Sequence, residues 1–145
     1  MSNKKRLERK TPSDIGGVCS GLGDYFDIDG TIVKYRKFTE LSSTPPEPIQ
    51  DVIDYLNEQF TNGAVIIVTT ARPDSYRLLT EHELNVIGLK HNQIIMNCGR
   101  GSRIILNDLD PDNLEIPRAV GINLKRDEGL KNITIPDNIN SYESN

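Results

Sequence analysis

The strongest constraint on the fold is an alternation of two hydrophobic periods between residues 48 and 96. In "EPIQDVIDYLNEQFTNG", Ile49, Val52, Ile53, Leu56 and Phe60 recur at helical spacing, with Pro48 near the start and Gly63 just past the end. The residues that follow, "AVIIV" at 64–68, form a short β-branched apolar run that stops at the polar "TTARP", as a buried strand ending in a loop would. "DSYRLLTEHELNVIGL" then repeats the helical pattern: Asp74 or Ser75 can cap it, Leu78, Leu79 and Leu84 line one face, and Gly88 closes it. Further strands are predicted at "QIIMN" and "RIILND", joined by the glycine-bearing "CGRGS", and at "AVGINL", residues 119–124. Strands alternating with helices call for parallel strands and right-handed crossovers, so the predicted class is α/β, a Rossmann-like three-layer sandwich with a mostly parallel central sheet covered on both faces.

Composition sets the outer bounds. At 145 residues, 36% hydrophobic and 26% charged, the chain suits one polar globular domain with short tails. No run approaches the ~20 apolar residues of a spanning helix, and the basic start "KKRLERK" leads into "TPSD" rather than an apolar signal core. The expectation is a cytoplasmic protein without stable membrane insertion. Residues 1–10 carry five Lys/Arg and one Glu, a local +4, so the remainder stands at −8 within the net −4. An acidic body argues against a nucleic-acid partner. Cys19 and Cys98 have neither zinc-site nor disulfide-framework spacing, and His82 and His91 read as exposed helix and loop residues. Residues 1–22 are expected to be a basic extension, 23–131 the domain, and 132–145 a polar tail.

Ligands of an open parallel sheet bind beyond the carboxyl ends of its strands. Three predicted strands end there in suitable groups: "YFDID" in Asp27 and Asp29, "AVIIVTT" in Thr69 and Thr70, and "RIILND" in Asn107 and Asp108. Asp27 and Asp29, two residues apart, project to the same side of an extended strand, and Gly30 permits a sharp exit. One carboxylate can attack phosphorus to give an aspartyl-phosphate, while the other protonates the leaving alkoxide and later deprotonates water. So much negative charge beside a phosphate calls for a divalent cation, and an all-oxygen site suits Mg²⁺, with Asp108 a natural further ligand. The Thr70 hydroxyl and a basic side chain would complete a cradle for the phosphoryl oxygens. Arg72 is a candidate for substrate contact, with capping or surface pairing as the plainer alternative.

"DIDGT", "VIIVTTAR" and "IILNDLDPDN", in this order, resemble motifs I, II and IV of the haloacid dehalogenase (HAD) superfamily of phosphatases. The resemblance spans about residues 27–130 and implies a HAD-like fold of the small capless type, since residues 31–48 leave room for a minimal cap at most. It implies Asp27 as nucleophile, Asp29 as general acid/base, Thr70 as the motif II hydroxyl, and Asp27, Asp29, Asp108 and Asp112 around Mg²⁺. No lysine matches motif III, so Arg100 or Arg103 of "GRGSR" is expected to supply the phosphate-binding charge. The implied activity is a Mg²⁺-dependent phosphatase acting on a small phosphorylated metabolite, with substrate selection left to short loops or to a second copy in a homo-oligomer.

A second resemblance covers residues 4–36. Gly17, Val18, Cys19, Gly21, Leu22, Tyr25, Phe26, Ile28, Asp29, Thr31 and Val33 fit the start of a PspC-like (phage shock protein C) domain, whose membrane helix is replaced here by "KFTELSSTPPEP". The PspC-like pattern makes "GVCSGLGDYF" helical, whereas the HAD-like pattern needs a strand running into Asp27. The chain therefore reads as a join through a shared "YFDIDGT", and implies, as an alternative to an enzyme, a binding or regulatory module on an inactive HAD-like scaffold.

Overall fold

A computed structural model describes residues 24–26, 28–115 and 117–135. The expected amino-terminal extension, Asp27 and most of the expected tail lie outside the described residues.

The chain forms β1 (Asp24–Phe26), α1 (Gln50–Thr61), β2 (Ile66–Thr69), α2 (Arg77–Val86) and β3 (Gln93–Ile95). Single 3₁₀ turns at Phe38–Glu40 and Asp74–Tyr76 precede the two helices. The strands pair in parallel in the order β1-β2-β3, with Phe26 registered against Val68 and Val68 against Ile94. This is an α/β fold in which each neighbouring strand pair is joined through a helix. Right-handed crossovers between strands laid side by side in chain order put both helices on one face of the sheet.

The core agrees with that arrangement. Val52, Ile53 and Leu56 of α1, Ile66 and Val68 of β2, Leu84 of α2 and Ile94 of β3 form one buried cluster with Ile28, Ile32 and Val33. Each such side chain contributes roughly 1.5–3 kcal/mol by leaving water. Both helices end as expected, at Gly63 with φ +102° and Gly88 with φ +76°, conformations that glycine adopts without steric cost. The start of α2 differs from expectation. Asp74 and Ser75 sit in the preceding 3₁₀ turn, no side chain caps either element, and Asp74 instead pairs with Arg77 at 2.9 Å.

Two predicted strands are not strands. "RIILND" contributes an isolated bridge residue at Ile104, and 119–124 runs as irregular chain. A strand is held by burial of at least one face, and here Ile104, Leu106 and Ile122 are all exposed. The sheet described is accordingly three strands wide, with the three-residue β1 at its edge. Among the described residues no helix is long and apolar enough to cross a membrane.

Candidate functional site

Beyond β1, residues 28–33, within and just after "DIDGT", form a tight turn. Ile32 and Val33 N–H both donate to the Ile28 carbonyl at 3.0 Å, and Gly30 N–H donates to the Val33 carbonyl at 2.7 Å. Gly30 takes φ +96°, which an L side chain rarely adopts. Ile28 and Ile32, fully buried, pin the turn into the core, and Asp29 between them turns its carboxylate toward two arginines.

These arginines come from different elements. Arg36 follows the turn in "KYRKF", and Arg72 follows β2 in "TTARP". Arg36 Nη2 lies 3.2 Å and its Nε 3.4 Å from Asp29 Oδ1. Arg72 Nε donates to Asp29 Oδ2 at 3.0 Å; Arg72 Nη2 lies 2.8 Å from the same oxygen as an ion-pair contact without hydrogen-bond geometry. Glu83 of α2 joins the two guanidinia: Arg36 Nη1 and Nη2 donate to its two oxygens at 2.7 and 2.8 Å, and Arg72 Nη1 donates to Oε2 at 2.8 Å. Arg36 Nη1 also reaches the Thr44 carbonyl and Arg72 Nη1 the Thr80 hydroxyl, at 2.8 and 3.1 Å.

Two cations and two anions thus form a neutral, buried set, which is how charge is tolerated away from water. Burial alone would push the Glu83 carboxyl up; hydrogen bonds from Arg36 and then Arg72 outweigh it and hold that carboxyl below its ordinary range. The Glu83 hydrogen bond likewise raises Arg36. The Asp29 side chain is 14% exposed, against 5% for Arg36 and Glu83 and 3% for Arg72, so Asp29 is the member of the set that meets solvent.

Thr70 belongs to the same neighbourhood. Its N–H donates to the Ile95 carbonyl at 2.9 Å, its carbonyl accepts from Cys98 N–H at 2.9 Å, and its Oγ1 accepts from Arg72 N–H at 3.2 Å. The hydroxyl is therefore fixed on the loop that carries Arg72, with its proton left to donate.

Of the residues singled out in the sequence, the structure gathers Asp29, Thr70 and Arg72. Arg72 lies beneath Asp29, buried in the charged set, rather than open to a substrate. Arg100 is exposed, and Arg103 folds onto the Gly99 and Gly101 carbonyls of its own loop. Asp108 is exposed and paired with Arg118 at 2.9 Å. Asp112 is exposed too, its N–H donating to Asp110 Oδ1 at 2.9 Å. Arg36, Thr80 and Glu83 went unread in the sequence; the available signal was Thr80, Glu83 and Leu84 on one helical face, two polar residues where apolar ones were sought.

As arranged, the described residues do not make an Mg²⁺ site. A carboxylate offers about four lone-pair positions, and the Asp29 oxygens already face four guanidinium nitrogens. Asp108 is engaged by Arg118, and no three acidic, histidine or cysteine side chains converge among the described residues. Two open clefts, of about 270 and 310 Å³, are lined by residues other than Asp29; Glu83 and Thr44, both partners of Arg36, line the larger.

No family model and no curated protein matches the chain. A crystal structure of a target protein from Vibrio cholerae is similar at 18% identity and a TM-score of 0.42, over 53% of this chain and 70% of that one.

Proposed function

We propose that the chain is a phosphoric monoester hydrolase of HAD type, a small Rossmann-like domain with minimal cap that acts in the cytoplasm on a small phosphorylated metabolite. The observation that carries this reading is the setting of Asp29: a carboxylate on a glycine-hinged turn just beyond a parallel strand, oriented by two buried arginines, with the Thr70 hydroxyl fixed on the neighbouring strand's loop. Asp27 attacks phosphorus, and its oxygen forms the new P–O bond as the bond to the leaving group breaks. Asp29, once it has taken up a proton from solvent at Oδ1, delivers that proton to the departing alkoxide. Asp29 then takes a proton from water, which attacks the aspartyl-phosphate and frees Asp27 and phosphate. The contacts from Arg36 at 3.2 and 3.4 Å are the longer ones, so Oδ1 is the oxygen that can exchange a guanidinium for the reacting group. Mg²⁺ belongs to this reading through the motif resemblance alone, because Asp29 and Asp108 as they stand are held by arginines and the described residues do not form its site.

The test is release of phosphate from an aryl phosphate by the full chain, with Mg²⁺ and with chelator. Turnover that disappears in Asp27→Asn and in Asp29→Asn, each still folded by its own cooperative melting transition, is the expected result. A folded wild type that releases no phosphate under either condition refutes the reading. It would favour a binding or regulatory module on an inactive scaffold.

A further inference from the structure

The carboxyl-terminal "LKRDEGL" is strapped across the "DIDGT" turn. Asp127 N–H donates to the Gly30 carbonyl at 2.9 Å, Tyr35 N–H donates to Asp127 Oδ1 at 2.6 Å, and Lys34 Nζ donates to the Asp127 carbonyl at 2.9 Å. Further along, Leu130 N–H donates to Asp51 Oδ2 at 2.9 Å at the start of α1. Asp127 takes φ +64° to make these bonds. The strap leaves Arg126 in a fixed place. Its stem passes over Gly30, so close that a Cβ there would meet Arg126 Cγ at 3.0 Å, and its guanidinium sits 4.2 Å from the centroid of the Tyr35 ring. Arg126 is exposed, and among the described residues no carboxylate pairs with it. Of the other cations near this turn, Arg36 and Arg72 are already committed to Asp29 and Glu83, and Lys34 to the Asp127 carbonyl.

A guanidinium held on an aromatic face beside a reactive turn, with its fork of donors unspent, is suited to a bidentate oxyanion. We infer that Arg126 recognises a second anionic group on the substrate, so that the favoured ligand is a phosphate monoester that also bears a carboxylate or a second phosphate. This rests on the reading of the "DIDGT" turn as the phosphoryl site. Gly30 is then required for its positive φ, and a Cβ there would press on the Arg126 stem.

Binding and turnover are read separately on the full chain. Calorimetry compares propylphosphonate with 3-phosphonopropionate, which differ in the added carboxylate. The wild type is expected to prefer the carboxylate-bearing ligand about tenfold, Arg126→Lys to keep part of that preference, and Arg126→Ala to lose it. Arg126→Glu should invert it, and melting curves confirm that each variant is folded. Absence of preference in the wild type, or its survival in Arg126→Ala, overturns the inference, and with aryl phosphate turnover intact it overturns the inference alone. Preference without turnover sinks the phosphatase reading and keeps the anion site. Failure of both ligands to bind sinks the two together.

Discussion

Glu83→Gln is the most informative single change. Three buried N–H groups, Arg36 Nη1 and Nη2 and Arg72 Nη1, end on the Glu83 carboxylate at 2.7–2.8 Å. Glutamine keeps the shape but offers one oxygen, and its amide N–H₂ meets guanidinium donors head on. The charged set passes from neutral to +1 with Glu83 only 4% exposed. Removing one partner of a buried ionic network costs about 3–5 kcal/mol, which for a domain of this size is a fall in Tm of roughly 10–20 °C. Thermal and urea denaturation measure it. Arg36→Met added to Glu83→Gln removes one cation for the lost anion, leaves Arg72 with Asp29, and should recover most of the loss. The pH response has a definite sign. A carboxyl held below its ordinary value contributes stability that is fully present above about pH 4.3 and drains away as pH falls toward the folded-state value. The wild type should lose stability below that point more steeply than Glu83→Gln. A loss under about 1 kcal/mol in Glu83→Gln, the scale of a solvent-screened surface pair, or parallel acid profiles for the two proteins, would refute the buried network.

Gly129→Ala is expected to cost about 2 kcal/mol or more, because φ is +65° and the new Cβ would collide with the Asp51 carboxylate; guanidinium denaturation reads it. Leu56→Ala should cost about 2–5 kcal/mol, since Leu56 is fully buried in the cluster where α1 meets the sheet; a shift in denaturation midpoint at constant m-value checks it. The Asp110 carboxyl should titrate below its ordinary range, first through the Asp112 N–H and then through Arg118, so an NMR titration of Arg118→Ala should show it moved part of the way up.

How far the sequence reveals this molecule depends on whether a residue's role follows from its own neighbours in the chain. The two helices, β2, β3 and both glycine stops were legible, because apolar spacing and positive-φ glycine are local signals. Apolar runs at 103–106 and 119–124 misled, because a run becomes a strand only where a partner strand and a buried face await it, and Ile104 and Leu106 have no such face. The face of α2 misled in the opposite sense. Leu78 is 81% exposed, while Thr80, Glu83 and Leu84 are turned inward. Thr80 and Glu83 are inside because Arg72 and Arg36 meet them there, and Arg36 is 47 residues away from Glu83 in the chain. The same blindness explains the assignment of phosphate-binding charge to Arg100 and Arg103. A search for a lone basic residue near a strand end found them, whereas the cations that face Asp29 are arginines whose burial is intelligible only once Glu83 is seen to neutralise them. In a site built from charge, each ion is placed by its counter-ion, so the carboxylate on the turn was readable from "DIDGT" but the arginines that orient it were not.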